Sequence, residues 1–177
     1  MPIFDKLTPE AMRCGLKFLV IGGHAVIGHG YMRATADADI LICKNDRAQW
    51  EVLVHRLDYI VEHDGGTFLQ LKPASGQSWD LDLMLVNSET FQKLMAAAKP
   101  TEIDGTRVAL PSLEHLLALK LHALKHGPPR RQAKDQDDIV NLILVNKFNF
   151  RAESFRLICE KHADLEIYER IVRICTQ

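Results

Sequence analysis

The chain has 177 residues, 47% of them hydrophobic and 25% charged, with a formal net charge of -1. That balance suits one compact domain, or a catalytic core with a helical appendage, and excludes a globally basic nucleic-acid coat. Cys14, Cys43, Cys159 and Cys175 lie far apart with no Cys-x-x-Cys pair, which argues for thiols in a reducing cytosol and against a disulfide frame or a zinc site.

The N-terminal MPIFDKLTPEAM lacks a charged-then-apolar leader pattern, and no apolar run is long enough for a bilayer, so a cytoplasmic protein with no membrane partner is expected. Thr8, Pro9 and Glu10 predict a short helix running to about Cys14 or Leu16. Phe18 to Cys43 then reads FLVIGGHAVIGHGYMRATADADILIC. Phe18 to Ile21 is a short apolar strand, Gly22-Gly23 a turn, and a short helix follows. A second strand opens on Asp37-Ala38-Asp39 and continues into Ile40-Leu41-Ile42. Paired glycines let the backbone bend tightly and bring its N–H groups up to an anion. Strand alternation puts Asp37 and Asp39 on one face, where a bound cation such as Mg²⁺ would relieve their repulsion.

Further along, Asn45-Asp46 caps a helix through Leu57, and Tyr59 to Val61 and Thr67 to Leu71 are strands on either side of Asp64-Gly65-Gly66. Trp79 to Val86 is a further strand that carries Asp80 and Asp82 on one face. A helix from Ser88 to about Ala98 precedes a small hairpin, Glu102 to Val108, with Asp104-Gly105 as its turn. From Pro111 the pattern becomes helical: Ser112 caps a helix to His126, Gly127-Pro128-Pro129 ends it, Gln132 to Val145 forms the next, and two more fill Arg151 to Ile174. The predicted fold is therefore α+β. It has a small mixed sheet flanked by helices in residues 1–110 and a C-terminal helical bundle in residues 111–177.

At about 100° per residue, Leu113, Leu116, Leu117, Leu121 and Leu124 share one face of the helix after Ser112, and Lys120 falls in its middle. A lysine there must snorkel, pair with a carboxylate, or point into a polar cavity. Asp135 and Asp138, three apart at the start of the next helix, face the side of Leu142 and Val145, so either is a candidate partner for Lys120. Lys125, His126, Arg130, Arg131 and Lys134 form a local basic cluster suited to phosphates or to a solvated loop. With no Cys or His cluster, any metal should be a hard one held by oxygen.

Gly22-Gly23, Arg33-x-Thr35 and Asp37-x-Asp39, in that order, resemble the nucleotidyltransferase superfamily related to DNA polymerase β. Gly22-Gly23-His24-Ala25 with His29 to Asp39 looks closest to stand-alone nucleotidyltransferase toxins of the AbiEii/AbiGii type. The resemblance runs from about Phe18 to Leu144 and includes a lysine like Lys120 followed by a Lys-Asp-x-x-Asp pattern at Lys134 to Asp138. One departure is His24, where many members have a serine. The resemblance implies an Mg²⁺-dependent enzyme that moves a nucleoside monophosphate from a nucleoside triphosphate to an acceptor hydroxyl. The acceptor would be tRNA or other RNA, a protein, or a small molecule, and a cognate antitoxin is a further implied partner. Asp37, Asp39 and a third carboxylate, Asp82 before Asp80, would hold metal. Gly22, Gly23, His24, Arg33 and Thr35 would bind the nucleotide, and Lys120 with Asp138 would complete the catalytic set. The competing reading is a non-catalytic binding module that keeps the fold.

Overall fold

Strand alternation and short turns generate the first part of the computed structural model, which describes residues 3–76 and 78–177. In chain order its elements are α1 (Phe4–Arg13), β1 (Phe18–Val20), α2 (Gly22–Gly28), β2 (Asp37–Cys43), α3 (Arg47–Arg56), β3 (Tyr59–Asp64), β4 (Phe68–Pro73), β5 (Asp80–Val86), α4 (Ser88–Ala96), β6 (Lys99–Ile103) and β7 (Thr106–Leu110). The first five strands form one sheet in the order β1-β2-β5-β4-β3, and β6 pairs with β7 separately. Only the β2–β5 pairing in the larger sheet is parallel.

The two faces of the sheet differ. Ala38, Ile40, Leu81, Leu83, Leu69 and Leu71 are buried on one face, where cross-strand register aligns them. Trp50 of α3 meets Phe18 edge-on there, with ring centroids 5.7 Å apart. The other face carries Asp37 and Asp39 on β2 and Asp80 and Asp82 on β5.

The helix at the start begins earlier than its Thr8-Pro9-Glu10 signal predicts. It runs from Phe4 with Pro9 inside it. Phe4, Leu7 and Ala11 form its buried stripe, and packing of that stripe outweighs the breaking tendency of one proline. The Asn45-Asp46 segment is a short 3₁₀ turn with no side-chain cap before α3. Asn87, by contrast, caps α4, its side chain accepting from the Thr90 N–H at 2.8 Å.

The rest is helical: α5 (Leu113–His126), α6 (Pro129–Val145), α7 (Glu153–His162) and α8 (Leu165–Cys175). Leu116, Leu117, Leu121 and Leu124 of α5, Ile139 and Leu142 of α6, Phe155 of α7 and Ile171 of α8 are all buried. Asp164 caps α8 through the Ile167 N–H and also pairs with Lys125 of α5. Two units result: Met1–Gly28 with Arg33–Ser112, and Leu113–Gln177 with the short segment His29–Met32. That segment joins the helical unit through the Asn146 side chain, which donates to the His29 carbonyl at 2.9 Å. The architecture is the predicted α+β one. Among the described residues no helix is long and apolar enough to cross a membrane.

Replacing Asn87 by Ala should remove the α4 cap and cost about 1 kcal/mol. Urea unfolding should show a lower midpoint at an unchanged slope.

Candidate active site

The parallel pairing of β2 and β5 sets Asp37 opposite Asp80 and Asp39 opposite Asp82. Residues directly across from one another project to the same face. Four carboxylates therefore share that side of the sheet. Asp80 is exposed, while Asp37, Asp39 and Asp82 are half-buried. Between the two candidates for a third carboxylate, Asp82 is the cross-strand neighbour of Asp39, and Asp80 is that of Asp37.

The glycines of α2 press against these groups. Gly22 has φ +58°, and a Cβ built on it would sit 1.9 Å from Asp39 Oδ2. A Cβ on Gly23 would lie 2.4 Å from Thr35 Oγ1 and 3.1 Å from an Arg33 guanidinium nitrogen. Only a chain without side chains at both positions leaves space for Asp39, Thr35 and Arg33 together. The Ile21 N–H also donates to the Asp39 carbonyl at 2.9 Å, fixing the turn to the strand.

Thr35 has a role that its place in the motif does not reveal. Its hydroxyl donates to Asp37 Oδ1 at 2.8 Å, orienting that carboxylate from two residues upstream. The guanidinium of Arg33 donates to the Ala34 carbonyl at 2.9 Å. Gly22, Gly23, Arg33, Thr35, Asp37 and Asp39 are thus brought together.

His24 occupies a different kind of place. Its ring is 6% exposed. It stacks on Trp79 at 4.7 Å and meets Phe4 edge-on at 5.3 Å. Burial holds its pKa below the ordinary value, against the opposing pull of Asp104 and Asp37. Its Nε2 has no hydrogen-bond partner among the described residues. The aromatic sandwich was not legible in sequence, since Phe4 and Trp79 lie far from His24 along the chain.

In the helical unit, Lys120 is held by both candidate partners. Its Nζ lies 3.0 Å from Asp135 Oδ1 and 2.6 Å from Asp138 Oδ2. The three side chains are 6%, 1% and 0% exposed. This triad locks α5 to α6 from inside. Asp135 Oδ2 has no hydrogen-bond partner among the described residues. Of the basic cluster, Lys125 is committed to Asp164, while Arg130, Arg131 and Lys134 are exposed.

The carboxylate face offers oxygen donors alone, which suits a hard divalent cation such as Mg²⁺ chemically. The backbone register aligns the donors. Among the described residues, however, no three acidic, His or Cys side chains are drawn together tightly enough to hold a metal as they stand.

Solved structures with this fold exist. ANT(2″)-Ia, in complex with adenylyl-2″-tobramycin, superposes with a TM-score of 0.68 at 16% identity, over 90% of this chain and 94% of that one. The fold is that of the nucleotidyltransferases. The lincosamide antibiotic adenylyltransferase LnuA, lincomycin-bound, gives a TM-score of 0.57 at 18% identity, over 78% and 93% of the two chains. A nucleotidyltransferase-like protein from Paracoccidioides brasiliensis gives 0.53 at 20% identity, over 80% and 74%. No family model and no curated protein matches the chain. The nucleotidyltransferase fold thus extends over most of this sequence at identities where only the fold is preserved.

Three outcomes test this geometry. Gly22→Ala should destabilise the protein by more than Gly76→Ala, which shares the left-handed backbone but has nothing within 4 Å of its added Cβ. Each carries about 1–3 kcal/mol of backbone strain, and the excess measured by urea unfolding reports the Asp39 contact. For His24, the unfolded imidazole takes up a proton near pH 6.5, the folded one only at lower pH. Stability should therefore be full above about pH 6.5 and fall as the pH drops toward the folded pKa. In His24→Phe, denaturant titrations across this window should show a shallower slope. Lys120→Met should cost about 3–5 kcal/mol, because it removes the ammonium that both buried carboxylates contact. Adding Asp135→Leu and Asp138→Leu to it should recover most of that loss, measured by thermal unfolding.

Proposed function

We propose that this protein is an Mg²⁺-dependent nucleotidyltransferase, moving a nucleoside monophosphate from a nucleoside triphosphate to an acceptor hydroxyl. The observation that carries the reading is the fit of the Gly22-Gly23 backbone against Asp39, Thr35 and Arg33 on a face with Asp82 beside Asp39. Supporting it are neighbours of the same fold whose names describe adenylyl transfer to antibiotics.

In this mechanism Asp37, Asp39 and Asp82 would hold the cation. When bound, it would neutralise phosphate charge and acidify the attacking hydroxyl. The Gly22-Gly23 N–H groups and Arg33 bind the triphosphate, and Thr35 keeps Asp37 turned toward the site. The acceptor oxygen forms a bond to the α-phosphorus as the bond to the bridging oxygen breaks. Pyrophosphate leaves, and Asp82 takes the hydroxyl proton. His24 supports the turn by filling the space between Phe4 and Trp79. The resemblance also gives Lys120 and Asp138 a share in stabilising charge; that share ranks second here because two carboxylates already hold the ammonium.

The finer reading, an AbiEii-like toxin with a cognate antitoxin acting in the cytoplasm on tRNA, other RNA or protein, rests on the motif string from Gly22 to Asp39 and on Lys134 to Asp138. A non-catalytic binding module is the second reading. What favours it is the loose side-chain clustering of the carboxylates, together with a buried His24 where many members of the family it resembles have a serine.

Thermal unfolding with Mg²⁺ and each NTP separates them. A live site should gain about 2.7 kcal/mol at a hundredfold excess over Kd. Asp39→Asn should abolish that gain and lower NMP transfer by orders of magnitude while the apoprotein stays folded. A wild type that none of the four NTPs stabilises would sink the transferase reading.

A further inference from the structure

The sheet-bearing unit has a second concavity, and none of the residues lining it belongs to the carboxylate site. Thr8, Ala11 and Met12, spaced by three and four residues, present one face of α1 to it. Leu16 after that helix, Met95 of α4 and Val108 of β7 extend its apolar lining. Its volume is about 280 Å³. At roughly 30 Å³ for each water-sized group, that is room for about nine of them, at the low end of ligand pockets.

Apolar walls alone do not say what fills such a space. Its polar groups do. Lys17, next to Leu16, and Arg107 of β7 both line the cavity, and both are exposed. Neither has an ion-pair partner among the described residues, although Glu102 stands across from Arg107 in the hairpin register. No aspartate or glutamate is among the described lining residues. The Thr8 hydroxyl is buried without a hydrogen-bond partner among the described residues, which folded chains ordinarily avoid.

An apolar body with one negative charge answers all of these features. Its carbon chain would displace water from Ala11, Leu16 and Val108. Its charge would stay at the rim, where an exposed lysine and arginine meet it without leaving water. The guanidinium fork matches a carboxylate in particular, through two parallel hydrogen bonds. A phosphate ion, polar on every side, would leave the apolar lining unused.

We propose that this cavity binds a small organic carboxylate with an apolar chain. The chain lies against α1 and β7, the carboxylate meets Lys17 and Arg107, and the Thr8 hydroxyl gains an acceptor. The site is separate from the carboxylate face and does not depend on the transferase reading.

The probe is octanoate, titrated into the intact chain and followed by methionine methyl resonances. Octanoate should shift the methyls of Met12 and Met95, which line the cavity, and leave those of Met32 and Met84 in place. Octanol, with the same chain and no charge, should bind about tenfold more weakly. In Lys17→Gln/Arg107→Gln the octanoate concentration giving half-saturation should rise about tenfold, with that of octanol unchanged. Thr8→Val removes only the hydroxyl and should act in the same direction. It keeps the test decisive should the double variant fail to fold. No saturable shift at Met12 and Met95, or octanol binding as tightly as octanoate, would overturn the proposal. Half-saturation unchanged in both variants would do the same. So would a peptide ending in a free leucine carboxylate that binds at these methionines more tightly than octanoate, since the cavity would then dock a protein C-terminus.

Discussion

Asp39 shares its space with a backbone that can carry no side chain. The 1.9 Å that separates its carboxylate from the place of a Cβ on Gly22 is far short of any van der Waals contact. Glycine there serves twice, since its φ of +58° is one that other residues adopt at a cost. The close approach in turn fixes where β1 must end and where β2 must begin. The parallel register of β2 with β5 separately sets Asp82 beside Asp39.

Parallel pairing matters to that chain of constraint. A parallel partner brings Asp37 and Asp80, then Asp39 and Asp82, into step, at the same ends of both strands. The antiparallel β4 then meets β5 from the other side and places Gln70 and Phe68 on the continuation of the same face. Helices bury the opposite face, so the distinction between core and site follows from alternation alone: Ala38, Ile40 and Leu81 point one way, and Asp37, Asp39 and Asp82 the other.

Much of this was legible in the sequence, because it depends on period and on local spacing. Alternation in Asp37 to Ile42 and Asp80 to Val86 identifies both strands and the shared face of each aspartate pair. The leucine stripe around Lys120 similarly identifies a buried lysine and leads to Asp135 and Asp138. The choice between those two was open in sequence, and the structure answers it with both. What could not be read was whatever depends on residues distant in the chain. The sandwich of His24 between Phe4 and Trp79 is one case, and the cavity that α1 and the β6–β7 hairpin line together is another, since no element betrays by itself what a distant one leaves open. The early start of α1 was missed for another reason. A Thr-Pro-Glu signal is local, and a buried stripe of Phe4, Leu7 and Ala11 overrides it.

Lys120 shows where such reading reaches its limit. A lysine in the middle of an apolar stripe gives the same sequence signal whether it binds a phosphate or closes a buried ion network, because both require an ammonium withdrawn from water. The structure supplies the second explanation in full, with two carboxylates at 3.0 and 2.6 Å. Buried ion networks stabilise little relative to apolar packing, yet they are costly to break. They therefore persist where they impose a register, as between α5 and α6 here. An ammonium shared by two aspartates is less available to a phosphate than an unshared one. In the proposed transferase, the nucleotide's charge therefore falls to the Gly22-Gly23 backbone and Arg33 rather than to Lys120.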